Sequence, residues 1–283
     1  MLLLRLLKKN NKGVLRSGIP LRGKFTMKAL KVFSTIALMS LLFVPVLNAD
    51  TVGQWLFDEG SGKVVLDSSG NHNDGTFVGK PEWVTDTPWG KGFALEFDGV
   101  GSYSEYIEIK DAPSLNVTDE ITIEAWFKIT PKTRHNTIVC KGGEDLAKGA
   151  YYLGVFDDFS IEGNLHVGGE WKWASVTGVG VKQDKWQHLA MVWDGSTITA
   201  YLDGEEIGEG AVKGPLDTTD DPLYIACSGP DGGEVYTTGL IDEVRISDKA
   251  LSVDELGFNA PLKPSAVSSL DKLAFTWGAI KQR

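Results

Sequence analysis

Cysteine is nearly absent from the 283 residues, which hold only Cys140 and Cys227. One pair cannot build the disulfide framework that lets a small secreted domain do without a large core. Each cysteine ends an apolar run, Thr137-Ile138-Val139-Cys140 and Leu223-Tyr224-Ile225-Ala226-Cys227, so the two either bridge one another or pack as small free thiols. Histidine is as sparse, with His72, His135, His166 and His188 scattered along the chain. There is no His-Glu-x-x-His motif, no Gly-x-Ser-x-Gly nucleophile turn and no phosphate-cradling glycine loop, which removes the commonest metalloprotease, hydrolase and nucleotide signatures. Helical periodicity is missing as well. Acidic residues are missing from the first 49 positions, which carry 9 of the 28 Lys and Arg.

That basic opening contains Met27-Lys28-Ala29-Leu30-Lys31, then the apolar run Val32 to Leu47, then Asn48-Ala49, the three-part build of a secretory signal peptide cleaved after Ala49. Ser34, Ser40 and Pro45 interrupt the run, and it is short for a membrane span, which needs ~20 apolar residues. Residues 1–26 precede this complete signal and read as an upstream extension, with Met27 as the true start. Past Ala49 the chain has 19 basic against 38 acidic residues, a formal charge of −19. Such a domain repels phosphate backbones and anionic lipid, so neither nucleic acid nor a membrane surface is expected as partner. The carboxylates either solvate the surface or serve a cation such as Ca²⁺. The expected location is secreted or extracytoplasmic, at the cell surface or in a periplasm.

The chain after Ala49 alternates with period two. Ile121, Ile123, Ala125, Phe127 and Ile129 point one way and Thr122, Glu124, Trp126 and Lys128 the other, as in a strand with two different faces. Similar runs recur at Phe93 to Phe97, Tyr106 to Lys110, Trp186 to Trp193, Thr197 to Leu202 and Leu240 to Ile246. Asp-Gly turn signals stand at Asp98-Gly99, Asp194-Gly195, Asp203-Gly204 and Asp231-Gly232. These features predict an all-β fold, a two-sheet antiparallel sandwich over residues 50–257. One short helix is expected where Ser252 and Glu255 have capping-box spacing. Beyond Gly257, Pro261, Pro264 and a serine cluster mark residues 258–283 as linker and tail, which docks on the domain, binds a partner or stays loose.

Several motifs occur in one order: Trp55-Leu56-Phe57-Asp58-Glu59-Gly60, Asp67-Ser68-Ser69-Gly70-Asn71, Ala94-Leu95-Glu96-Phe97-Asp98-Gly99, Ile121-Thr122-Ile123-Glu124-Ala125-Trp126, Trp186-Gln187-His188-Leu189-Ala190, Tyr201-Leu202-Asp203-Gly204 and Gly239-Leu240-Ile241-Asp242-Glu243-Val244-Arg245-Ile246. The set resembles the laminin-G-like jelly-roll family, relatives of the concanavalin-type lectins and glucanases. The resemblance implies a jelly roll that serves as a carbohydrate-binding module, an adhesion unit or an enzyme appendage. It also implies a structural Ca²⁺ where the N-terminal segment meets the final strand, which in this chain brings Asp67 and Asn71 towards Asp242, with Asp58 and Asp98 next in line. Taken by themselves, residues 67–75 are equally an Asx-rich turn, and Asp242 equally a partner for Arg245. Glucanases of this fold carry paired acids in a Glu-x-Asp-x-x-Glu tract, and this chain has none, leaving Glu124 alone on its strand and Glu105 and Glu108 on another.

Ligand binding points elsewhere. Trp171 and Trp173 are two apart, hence on one sheet face, and Tyr151, Tyr152, Asn164 and His166 are expected near them. Aromatic faces beside amide and imidazole groups suit the apolar side of a pyranose and its hydroxyls, whereas nine tryptophans in a sandwich also serve as core filling. Asn116-Val117-Thr118 is a glycosylation sequon, relevant only in a eukaryotic secretory pathway. The expectation is a secreted, non-catalytic module with a glycan or extracellular protein as partner and one structural calcium. The rival functions are a glycoside hydrolase of the concanavalin-type fold and a structural subunit of a surface assembly.

Overall fold

The computed structural model describes residues 51–99, 105–130, 135–142, 149–176, 180–229 and 236–263, with side chains of 173–176 excepted. The expected extension and signal peptide of residues 1–49, the tail beyond 263 and Asp231-Gly232 therefore lie outside the described residues. Sixteen strands are found among those described. The first six are β1 (Thr51–Trp55), β2 (Val64–Val65), β3 (Gly75–Val78), β4 (Glu82–Val84), β5 (Ala94–Phe97) and β6 (Tyr106–Ile109). Next come β7 (Ile121–Ile129), β8 (His135–Lys141), β9 (Tyr151–Phe156), β10 (Ile161–Val167) and β11 (Glu170–Val176). The last five are β12 (Gln187–Trp193), β13 (Thr197–Leu202), β14 (Glu205–Ala211), β15 (Leu223–Ile225) and β16 (Gly239–Ser247).

They form two antiparallel sheets of eight strands: β14-β13-β12-β7-β16-β5-β4 with β1 also on β16, and β11-β10-β9-β8-β15-β6-β3-β2. The expected sandwich is thus the observed one. Strand β7 shows why it forms. Ile121, Ile123, Ala125, Phe127 and Ile129 are all fully buried between the sheets, as their alternation predicts. In the opposing sheet Tyr151, Leu153 and Val155 of β9 and Ile161 and Leu165 of β10 fill the same core. The hairpin at Asp194 closes as its sequence predicts, with Asp194 Oδ1 accepting from the amides of Ser196 at 2.9 Å and Thr197 at 2.8 Å. At the next hairpin Asp203 and Gly204 have φ of 51° and 80°, the left-handed pair that a two-residue turn between twisted strands requires.

The outer face of the first sheet is covered by its own chain. Leu251 and Leu256 bury against Ala190 and Val192, with Tyr201, Val253 and Phe258 packed around them. The short helix is a single 3-10 turn, Val253–Glu255, closed by the capping box of Ser252 and Glu255. Residues 258–263 continue along the domain: the amide of Leu262 donates to Glu243 Oε2 at 3.0 Å, and Gln54 Nε2 donates to the carbonyl of Lys263 at 2.9 Å. Beneath this strap Glu124, fully buried, accepts from the Arg245 guanidinium, from His188 Nε2 at 3.0 Å and from the amide of Gly257 at 2.8 Å. Arg245 therefore pairs with Glu124 rather than with Asp242. Cys140 and Cys227 are both buried and not bridged to one another: Cys140 Sγ lies 3.8 Å from the carbonyl of Ser228, and the amide of Gly229 donates to Cys227 Sγ at 3.0 Å.

Candidate functional site

Antiparallel register decides which side chains meet on the outer face of the second sheet. Trp171 stands opposite His166, and Asn164 stands between Tyr152 on β9 and Trp173 on β11. Period two separates the two tyrosines that the sequence places together. Tyr152 lies on the face away from the main core yet is itself buried, 8% exposed, while Tyr151 is fully buried in that core with its hydroxyl donating to the carbonyl of Leu115 at 3.1 Å. Tyr151 is therefore set aside as a ligand contact. The side chain of Trp173 lies outside the described residues. Glu162 shares the outer face, 4% exposed and 3.9 Å from His135, and burial raises its carboxyl above the ordinary glutamate range.

Trp171 is half-buried. Its ring meets His166 edge-on, with centroids 5.2 Å apart and planes at 81°, and lies so close to Gly149 that a Cβ there would be 2.1 Å from Cζ2. Gly149 and His166 in turn line an open cleft of about 670 Å³, whose other walls are Gly169 and the run Asp217, Thr218, Thr219, Asp220 and Asp221. This run connects β14 to β15 and is pinned at three points. Leu216 is buried, with its amide donating to the carbonyl of Thr118 at 3.0 Å. Asp217 Oδ2 lies 2.8 Å from His166 Nδ1 and accepts from the amide of Gly169 at 2.7 Å. Burial opposes ionisation of Asp217, but the Gly169 amide and the His166 ring outweigh it and hold the carboxyl below its usual range.

The third pin is Lys141, a fully buried ammonium that donates to Asp111 Oδ1 at 2.7 Å, to the carbonyl of Thr219 at 2.9 Å and to the carbonyl of Asp221. Asp111 also accepts from Asn116 Nδ2 at 3.2 Å, so the amide of the sequon is engaged within the domain. Acidic and threonine residues thus line an open concavity together with His166, and the Trp171 indole packs against His166 and Gly149 of its wall. Sequence reasoning found Trp171 and His166 but missed the wall, because Leu216 to Pro222 looks like an acidic turn. The only hint was the density of oxygen-bearing side chains in Asp217-Thr218-Thr219-Asp220-Asp221.

The calcium candidates fall into two groups. Asp67 Oδ1 accepts from the amides of Gln54 at 3.0 Å and Ser69 at 2.8 Å, and Oδ2 from Ser69 Oγ at 2.8 Å and the amide of Asn73 at 2.9 Å. Asn71 Nδ2 donates to the carbonyls of Thr51 and Val52, both at 3.2 Å. These two residues fasten their loop to β1 as an Asx turn does. Asp242 differs. It is 3% exposed, Oδ1 accepts from the amide of Glu243 at 2.8 Å, and burial, with the charges of Glu243 and Asp58, pushes its carboxyl up to about 9. The register slips between Asp242 and Arg245, a bulge at which Glu243 takes a φ of 50°, and Phe57, just before Asp58, has a φ of 52°. Among the described residues no group of three or more His, Cys, Asp or Glu side chains gathers as a metal ligand set.

Comparison with curated proteins finds no match. Solved structures do match in fold. The binding domain of Paraclostridial Mosquitocidal Protein 1 superposes with a TM-score of 0.57 at 13% identity, covering 73% of this chain and 50% of that one. Domain 4 of AbnA, an extracellular arabinanase from Geobacillus stearothermophilus, in complex with arabinotriose, gives 0.56 at 19% identity, covering 73% and 96%. The binding domain of botulinum neurotoxin DC in complex with rat synaptotagmin II gives 0.56 at 12% identity, covering 73% and 50%. The chain thus spans about half the length of the toxin domains it matches and nearly all of the arabinanase domain. Identities this low speak for shared architecture alone. The sequence profile Laminin_G_3 matches residues 100–257, and with the two-sheet jelly roll around them this establishes that the chain belongs to the concanavalin A-like lectin/glucanases superfamily.

Proposed function

We propose that this domain is a secreted, non-catalytic glycan-binding module whose ligand lies in the cleft walled by His166, Gly169 and the 217–221 run, beside Trp171. The observation that carries the reading is the cleft itself, which gathers carboxylates and threonine hydroxyls with His166 in an open concavity of about 670 Å³, while the half-buried indole of Trp171 packs against His166 and Gly149 of its wall. A pyranose needs that combination, an apolar surface for its C–H face and acceptors for its hydroxyls. Fold relatives that include a domain crystallised with arabinotriose support a binding role. A glycan array tests the reading, with Trp171→Ala as comparison. Loss of the indole should weaken binding at least ~10-fold, about 1.4 kcal/mol, and cost only ~1 kcal/mol of stability because the ring is half-buried. A stability loss of several kcal/mol would instead make Trp171 core and end this assignment. Hydrolysis of a bound glycan would overturn the non-catalytic reading.

Calcium belongs to the same proposal, with its ligands revised by the geometry. Asp67 has both oxygens engaged by four hydrogen bonds, whereas Asp242 is a buried carboxylate beside two further acids. A hard cation suits the second environment. Asp242 would hold it with Asp58 and backbone carbonyls, and the ion would supply the positive charge that offsets three neighbouring carboxylates. At 100-fold over its Kd, Ca²⁺ should add ~2.7 kcal/mol, a rise of ~5–10 °C in melting temperature for a domain this size. Calorimetry in EDTA should reverse the rise, and Asp242→Asn should abolish the response. An identical melt with and without calcium would remove the ion from the proposal.

A further inference from the structure

We propose that the cleft selects glycans that carry free amines, and so discriminates amino sugars from their N-acetylated, neutral and anionic counterparts. The inference rests on the cleft being the glycan site and adds its specificity. Of its described lining residues, Asp217, Asp220 and Asp221 are acidic and none is Lys or Arg. The cation bound to this wall, the Lys141 ammonium, has no exposed surface and is already shared among Asp111 and the carbonyls of Thr219 and Asp221. Lys172, beside Trp171, is held by Glu170 at 2.6 Å. His166 is the one imidazole in the lining and is taken up by Asp217 at 2.8 Å, so the negative charge left for a ligand is that of Asp220 and Asp221, of which Asp220 is the exposed member.

The wall already shows what it coordinates well. On its inner side the 219–221 backbone, with Asp111, supplies three oxygens to one primary ammonium, Lys141. On its outer side the same run presents carboxylates and a threonine hydroxyl, the donor-poor, acceptor-rich surface that a second ammonium completes. The charge of −19 past Ala49 acts in the same sense over longer range, repelling uronates and sulfated sugars.

The test is calorimetric titration with four tetrasaccharides: β-1,4-linked glucosamine, its N-acetylated counterpart, cellotetraose and tetragalacturonate. At about pH 5 the sugar amines are protonated while the aspartate and galacturonate carboxyls remain ionised. In low salt the glucosamine tetramer should bind at least ~5-fold more tightly than the acetylated and neutral tetramers, and the galacturonate should not bind. Raising salt to ~0.5 M should shrink the ratio towards one, because the carboxylates are solvent-accessible and screened. Asp220→Asn, an isosteric change at an exposed position, should at least halve the ratio in low salt. Equal binding of the amine and neutral tetramers would overturn this inference while leaving the glycan-site reading in place. Tighter binding of the galacturonate would overturn it too, as would a ratio untouched by Asp220→Asn. Binding of none of the four would count against both.

Discussion

Replacing Lys141 by methionine should destabilise the domain by ~3–5 kcal/mol and, if the cleft is the glycan site proposed above, weaken glycan binding as well. Methionine retains most of the side chain's apolar length, so the change removes chiefly the ammonium. What remains is a carboxylate, Asp111, and two backbone carbonyls, those of Thr219 and Asp221, facing a site with no donor. Removing one partner of a buried ion pair costs that much because the other stays desolvated and unpaired. Asp111 is about a quarter exposed, at 26%, and still accepts from Asn116, which places the expected loss at the lower end of the range. Lysine also suits the site better than arginine, since three acceptors around one point call for a compact charge rather than a planar fork. Urea denaturation measures the loss. A change below ~1 kcal/mol would mean that water replaces the ammonium and that the cleft wall stands without it.

Lys141 also shows where sequence reasoning stops. The run Thr137-Ile138-Val139-Cys140 announces a strand, and a lysine at its end looks like an ordinary solvated terminus. Only the pairing of β8 with β15 brings the 219–221 backbone over it. Local alternation, by contrast, was legible. Strand β7, the Asp194 hairpin, the capping box at Ser252 and the closing strand β16 all obey rules that operate within ten residues, and each formed as expected. Period two says that neighbours face opposite ways but not which face is inside. Tyr151 and Tyr152 could therefore be named together, and the fold then sent one into the core. The metal candidates failed to separate for a related reason. Asp67 and Asp242 are both aspartates among polar neighbours, and what distinguishes them is the number of amides that reach each carboxylate, a tertiary quantity.

Glu124 illustrates the same limit with the second large effect. Its sequence context, Ile123-Glu124-Ala125, suggests a lone acid on a strand, yet the structure buries it fully under the C-terminal strap. Its two oxygens join β16 through Arg245, β12 through His188 and the strap through the amide of Gly257. Trp126, next outward on β7, adds its own bond from Nε1 to the carbonyl of Gly257 at 3.2 Å. Glu124→Ala should cost ~3–5 kcal/mol, because it strands a guanidinium and an imidazole in a desolvated site and frees the strap. Glu124→Gln keeps the shape and should cost less. It also provides the decisive measurement, through pH. Burial opposes ionisation of Glu124, but His188 and Arg245 outweigh it, so the folded carboxyl titrates below its ordinary value. A depressed carboxyl contributes stability that is fully present above the unfolded value of ~4.3 and is lost as the pH falls through the folded one. The stability gap between the native chain and Glu124→Gln should therefore be constant near neutrality and close progressively below about pH 4. A gap that stays the same at acidic pH would show that the carboxylate's charge contributes nothing and that Glu124 holds the strap through hydrogen bonds alone.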